Sequence, residues 1–327
     1  MRVVVTRRIP ETGIEVLQRA GYEVSIWPGP LPPTREELLE FAKEADGLLT
    51  LLTERIDAKL LDALPSIKAV SNMAVGFDNI DVEACTARGV VVCITPDVLT
   101  ETTADFTWAL ILAVARRVCE AAEAAHRGQW RTWEPLGFLG QDVAGTTLGI
   151  VGFGRIGQAV ARRASGFGMR VVYTDREQRP PEIEQQLRAT FLPLDQLLAE
   201  SDIVTLHVPL TPETRKLIGA RELALMKPNA MLINTARGAV VDTDALVAAL
   251  RDRRLWGAGL DVTDPEPLPA DHPLLQCPNV IVTPHIASAS EVTRARMAQL
   301  AAENLVAALR GERPPRSLNW DELHRKG

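Results

Sequence analysis

Short apolar, β-branched runs recur along the first hundred residues: RVVVT, YEVSIW, DGLLTLL, IKAVSNM and GVVVCI. Stretches of about ten residues with helical apolar spacing separate them. Strands alternating with helices predict parallel sheets. The series ends near Pro96, which stops a strand. A long helical pattern follows from Thr103 to about Ala125, its apolar face built from Trp108, Leu110, Ile111 and Val114. The next segment, GQWRTWEPLGFLGQDVAG, is irregular and rich in glycine and aromatics. A second series opens at TLGIVGFG and continues through MRVVYTD, DIVTLHVP, NAMLINTA, LWGAGLDV and NVIVTPH. A final amphipathic helix, about Glu291 to Arg310, is long enough to return to the first domain. The pattern predicts an α/β protein of two βα domains with parallel sheets, Rossmann-like and flavodoxin-like. Residues 1–100 and 288–327 form a discontinuous domain into which residues 101–287 are inserted, with an arm at about 101–145.

Composition narrows the classes of function. A chain of 327 residues that is 46% hydrophobic can bury two ordinary cores. A net charge of -6 argues against a surface that tracks nucleic-acid phosphates. No stretch reaches 18 uncharged apolar residues, and the N-terminus has no leader pattern, so a cytoplasmic protein with no membrane partner is expected. Cys85, Cys93, Cys119 and Cys277 lie far apart without CxxC spacing, which predicts buried reduced thiols and no metal site.

The most specific local motif is Gly152-Phe153-Gly154-Arg155-Ile156-Gly157, directly after the apolar run LGIV and before the helical AVARRASGFG. The first glycine makes a tight turn, the second admits a pyrophosphate close to backbone, and the third lets helix and strand pack closely. The helix N-terminus then faces the phosphates with free N–H groups. Eighteen residues beyond Gly157, MRVVYT ends at Asp175, whose carboxylate can accept both ribose hydroxyls. That carboxylate predicts a preference for NAD(H). Arg176 beside it leaves NADP(H) use open, since a guanidinium can pair with a 2′-phosphate.

Reactive groups belong at the carboxyl ends of neighbouring strands in such a sheet. Three ends carry candidates: Thr235-Ala236-Arg237, the stretch from Asp261 to Glu266, and His285 after NVIVTP. Arg237 can grip a carboxylate through two parallel hydrogen bonds. His285 can exchange a proton with a carbonyl oxygen as hydride moves. Glu266, in contact with the other ring nitrogen, would fix the imidazole and favour its protonated form. Each residue alone is more often structural; their joint placement is what points to chemistry. His207, followed by Val208, is placed near the adenine end of the cofactor, whereas His126, His272 and His324 read as surface or structural residues.

The stretches MAVGFDNIDVEACTARGVVV, TPDVLTETTADFTWALILA, GIVGFGRIGQAVARR, LMKPNAMLINTARGAVVD, AGLDVTDPEPLP and TPHIASAS strongly resemble the D-isomer-specific 2-hydroxyacid dehydrogenases, most closely the glyoxylate/hydroxypyruvate reductases. The resemblance spans nearly the whole chain. It implies that Arg237, Glu266 and His285 are catalytic. It also implies that Leu52, Val75, Gly76 and Ser288 contact the substrate, a small 2-oxo acid, in a cleft between the domains. Thr103, Arg155, Ile156, Asp175, Pro209, Thr235, Asp261 and Ala287 match cofactor-contacting positions, Asp261 holding the carboxamide of the nicotinamide. The arm then implies a homodimer, in which Trp133 reaches the partner's site or else packs in a core. HIASAS in place of the commoner HIGSAT, and Glu101 where a neutral residue is frequent, are the departures. A D-lactate dehydrogenase is the runner-up, and a dinucleotide-sensing corepressor scaffold the reading from another class.

Overall fold

The computed structural model describes residues 1–325. The chain packs as two compact units: Met1–Leu99 with the chain from Ala289 onward, and Thr100–Ser288. Each junction falls one residue from the boundary anticipated from sequence.

In the first unit, β1 (Arg2–Val5), β2 (Glu23–Ile26), β3 (Gly47–Thr50), β4 (Ala69–Asn72) and β5 (Val91–Cys93) pair in parallel in the order β2-β1-β3-β4-β5. Val3, Val4, Val5, Leu48, Leu49 and Val70 expose no surface. Both faces are therefore covered, which is why these strands read as continuous apolar runs. The helices Arg35–Phe41, Ala58–Ala63 and Val82–Ala87 start where Thr34, Asp57 and Asp81 accept a backbone N–H of the first turn. Glu291–Leu309, capped likewise by Ser290, packs on β3, β4 and the helix Glu11–Arg19. The two helices meet at Gly13, where a Cβ would lie 2.7 Å from the carbonyl oxygen of Ala298.

The second unit holds β6 (Thr147–Val151), β7 (Arg170–Thr174), β8 (Ala189–Phe191), β9 (Ile203–Leu206), β10 (Met231–Asn234), β11 (Gly257–Leu260) and β12 (Val280–Val282). All pairs are parallel, in the order β12-β11-β10-β9-β6-β7-β8. The order reverses between β6 and β9, and carboxyl ends diverging at such a point open a crevice. Strand β8 was not anticipated. It is a three-residue edge strand between the helices Pro181–Leu187 and Leu194–Glu200, too short to leave a periodic pattern.

The single helix expected from Thr103 to Ala125 is two helices, Thr100–Ala115 and Val118–His126. The break is held from outside. Gln141 N donates to Ala115 O at 2.8 Å, taking the carbonyl a continuing helix would need. Gly140 packs there so closely that a Cβ would lie 2.4 Å from the same oxygen. Arg117 turns left-handed at φ 54 and lies over the Phe138 ring at 5.4 Å. Glu101 also finds its reason. It pairs with Arg162 at 3.1 Å and Arg163 at 2.9 Å, tying the first of these helices to Arg155–Ala164. Burial pushes its carboxyl up, but the hydrogen bonds and charges of those arginines outweigh it and hold the group below the usual range.

Cys85, Cys93 and Cys277 are buried, and burial pushes the thiols of Cys85 and Cys93 up to about 12. Cys119 is exposed on the second half of the broken helix, contrary to the expectation of four buried thiols. Among the described residues no helix is long and apolar enough to cross a membrane, and no cluster of ligating side chains could hold a metal ion.

Candidate active site

At the end of β6, Gly152 adopts φ 93, and a Cβ on it would lie 2.7 Å from the carbonyl of His207. Only glycine fits. A Cβ on Gly157 would lie 2.2 Å from the oxygen of Gly152, so its absence lets the helix seat against the turn. Around Gly154 the space is open, with nothing within 4 Å of a built Cβ, and this residue caps Arg155–Ala164 in extended conformation. A turn bare of side chains, open at the residue that starts a helix, fits the pyrophosphate of a dinucleotide. Arg155 and Ile156 form the first helical positions beside it. The Phe153 ring belongs to the core, stacked on Tyr173 with centroids 4.0 Å apart, so Phe153 offers this turn only its backbone.

Asp175, one residue beyond β7, is braced against that turn. Its Oδ2 accepts from Phe153 N at 2.8 Å and from the Arg179 guanidinium at 2.5 Å, and its Oδ1 from Arg176 N at 2.7 Å. The side chain of Arg176 is exposed; Arg179, which sequence reasoning passed over, is the cation paired with Asp175. Arg179 also donates to Phe153 O at 3.1 Å, and its backbone N–H meets the Tyr173 hydroxyl at 2.7 Å. Its four-residue spacing from Asp175 was the available signal.

Strands β10, β11 and β12 are in register through Asn234, Leu260 and Val282, so the residues after them project side by side. Asn234, buried at the end of β10, shapes the first turn: its Nδ2 donates to Arg237 O at 2.8 Å and its Oδ1 accepts from Ala236 N at 3.0 Å. Gly238 follows Arg237 because a Cβ there would lie 2.0 Å from the carbonyl of Thr263. Thr263 N in turn donates to Glu266 Oε2 at 3.3 Å. Glu266 Oε1 meets His285 Nδ1 at 2.6 Å. Burial pushes the Glu266 carboxyl up, but the hydrogen bond and charge of His285, the Thr263 N–H and the charge of Arg237 together hold it below the ordinary carboxylate range. Two of the residues named from strand ends, Arg237 and His285, thus act on the carboxylate of the third.

His285 sits at φ 56, a left-handed conformation costing a non-glycine residue about 1 kcal/mol. Asp261 supplies the compensation. Its buried carboxylate accepts from Thr283 Oγ1 at 2.6 Å, Ile286 N at 2.8 Å and Ala287 N at 2.7 Å, while its carbonyl accepts from His285 N at 2.9 Å. Asp261 is therefore the residue that sets the His285 turn, a role that spacing alone did not show. Ala287 is buried and Ser288 half-buried just beyond.

The remaining candidates divide between the units. In the second, Thr235 Oγ1 lies 3.0 Å from Thr107 Oγ1, whose hydroxyl donates to the carbonyl of buried Thr103. The His207 ring engages Thr205 Oγ1, and burial pushes its pKa down to about 3. Val208 is half-buried and Pro209 exposed after it. Trp133 is 80% exposed, which removes the core role for it. His126 and His324 are exposed, and His272 caps the short helix Pro273–Gln276. In the first unit, Leu52 lies in the turn after β3, and Val75 and Gly76 in the loop after β4.

Residues 108–287 match the family model described as D-isomer specific 2-hydroxyacid dehydrogenase, NAD binding domain. The chain is 53% identical to the glyoxylate reductase of Thermococcus gammatolerans, over 97% of this chain and 96% of that one. A solved structure, the TT0316 protein of Thermus thermophilus, matches with a TM-score of 0.92 and 52% identity, covering 97% of this chain and 100% of that one. The NADPH-dependent glyoxylate/hydroxypyruvate reductase of Sinorhizobium meliloti, solved with NADP and malonate, matches at 0.84 with 33% identity over 100% and 99% of the two chains. The chain belongs to the D-isomer specific 2-hydroxyacid dehydrogenase family.

Proposed function

We propose that this protein reduces a small 2-oxo acid, glyoxylate or hydroxypyruvate, to glycolate or D-glycerate. The observation that carries the reading is the 2.6 Å pair of His285 and Glu266, with Arg237 close enough for its charge to act on the same carboxylate. A bound reduced nicotinamide supplies the hydride. His285 gives the proton to the carbonyl oxygen, from Nε2 because Nδ1 is engaged by Glu266. The lowered Glu266 stays anionic through neutral pH and holds the ring. Arg237 binds the substrate carboxylate and polarises the adjacent carbonyl. Leu52, Val75, Gly76 and Ser288 complete the substrate contacts. Gly152, Gly154, Arg155, Ile156, Gly157, Asp175, Pro209, Thr235 and Asp261 would hold the cofactor. The unit Thr100–Ser288 acts as the cofactor domain, and the other as the substrate domain.

The Asp175 carboxylate favours NADH over NADPH by about tenfold, roughly 1.4 kcal/mol. Trp130, Trp133, Leu136 and Leu139 are exposed on the arm, and this apolar surface supports a homodimer. A spectrophotometric panel of 2-oxo acids with both reduced cofactors, in wild type and Asp175→Ser, tests the reading. Turnover of glyoxylate and a shift of the cofactor ratio toward NADPH in the variant are expected. Dinucleotide binding without turnover of any 2-oxo acid would replace the enzyme with a sensing scaffold, and a wild type that favours NADPH would remove Asp175 as the discriminating group.

A further inference from the structure

The carboxyl ends of β3 and β4 carry a polar network that the chemistry above does not use. Thr50 and Asn72 are partners in the parallel register of these strands and both are fully buried. Thr50 Oγ1 donates to Asn72 Oδ1 at 3.1 Å, which turns the Asn72 amide toward Gly76 O, reached at 3.1 Å. Asn72 Nδ2 also lies 3.4 Å from Asn79 Oδ1. Asn79 Nδ2 then donates to two carbonyls of the other loop, Leu51 O at 3.0 Å and Glu54 O at 2.9 Å. The Glu54 side chain, 3% exposed, accepts from Leu51 N at 2.8 Å and Thr6 Oγ1 at 2.7 Å.

Polar groups in a core are costly unless every one is satisfied, and an apolar filling would serve stability as well. What this network does that an apolar filling cannot is choose backbone geometry. Four of its contacts end on main-chain groups of just two loops, Leu51–Glu54 and the loop through Val75 and Gly76. Backbone N–H groups that grip a carboxylate have to be held to about half an ångström. We propose that Thr50, Asn72, Asn79 and Glu54 are positioning residues, which fix these two loops in the one conformation that binds the oxo acid. The proposal rests on the reading that Leu52, Val75 and Gly76 contact the substrate.

The experiment compares Asn79→Asp, Thr50→Val and Thr50→Ser with Leu52→Ala, measuring kcat, the KM for glyoxylate, the KM for NADH and the melting temperature. Asn79→Asp keeps the size of the side chain but turns an acceptor toward two carbonyls. It is expected to raise the KM for glyoxylate by about tenfold while the KM for NADH moves less than about twofold. Thr50→Val, a milder change that decides the matter should Asn79→Asp not fold, is expected to raise it by about threefold, and Thr50→Ser to restore the wild-type value. Leu52→Ala is expected to raise it without reference to the network. If Leu52→Ala raises that KM while folded Asn79→Asp and Thr50→Val leave it unchanged, the network is structural only and the proposal is overturned. It is overturned equally if both KM values rise together. If Leu52→Ala and the network variants all leave the KM for glyoxylate unchanged, the reading of these loops as substrate loops has failed, and the proposal with it.

Discussion

The turn after β6 and the turn after β12 lie at the carboxyl ends of one sheet, and they acquire their shapes by different means. The glycine turn is shaped by what is missing: side chains at Gly152 and Gly157 would strike backbone at 2.7 Å and 2.2 Å. The His285 turn is shaped by what is present, a buried Asp261 carboxylate that accepts two backbone N–H groups and one hydroxyl and holds a non-glycine residue at φ 56. A turn made by omission leaves room for a ligand against bare backbone. A turn made by bonding delivers a side chain, here an imidazole already joined to Glu266.

Asp261 is the residue on which the bonded turn depends most. Asp261→Ala orphans the buried Ala287 N–H, at about 1–3 kcal/mol, and frees the partly buried Thr283 hydroxyl and Ile286 N–H at a smaller cost, so denaturant unfolding should show a loss of about 2 kcal/mol or more. Turnover should fall by about a hundredfold even where the variant is folded, because the His285 turn relaxes. A folded variant with wild-type turnover would show that the carboxylate does not set the turn.

In the glycine turn, two positions separate packing from ligand space. Gly157→Ala meets backbone and should lose about 1–3 kcal/mol of stability. Gly154→Ala meets nothing, so its stability should stay within about 0.5 kcal/mol while the KM for NADH rises by about tenfold. Equal losses of stability in the two would mean that Gly154 serves packing and not a ligand.

The smallest effect concerns pH and lies beside the glycine turn. His207 titrates near 3 when folded against an ordinary 6.5, so the folded state favours its neutral form. A depressed histidine contributes stability that is full above about 6.5 and is lost as pH falls toward 3, because only the unfolded chain takes up the proton. Between pH 7 and 5 wild type should therefore lose up to about 2 kcal/mol more than His207→Gln, measured by urea unfolding at each pH. Parallel losses would place the ring in water.

The difference between the turns also explains what could be read from sequence. Omission is written in the residues themselves: Gly152, Gly154 and Gly157 between an apolar run and a helical one carry their own reason. The alternation of strands and helices is local in the same sense, and the parallel sheets followed from it. Bonding across the chain is not local. Nothing near Asp261 says that residues 283–287 will return to it, and nothing near Ala115 says that Gln141 will take its carbonyl and end a helix whose apolar spacing runs on. Arg176 drew attention as a cation for a 2′-phosphate because it adjoins Asp175 in sequence, whereas the guanidinium that pairs with Asp175 itself reaches back from Arg179. Arg237, Glu266 and His285 stood out because each follows an apolar run within a few residues; bringing Arg237 and His285 to the Glu266 carboxylate took the register of β10, β11 and β12 and the turns beyond them.

If the His285 turn exists to deliver a proton, steady-state turnover of glyoxylate with NADH by wild type and His285→Ala, alongside NADH affinity from fluorescence titration, will show it. In His285→Ala, kcat is expected to fall by about two orders of magnitude or more while affinity for NADH changes by less than about twofold. Retention of half the wild-type turnover in the variant would contradict it.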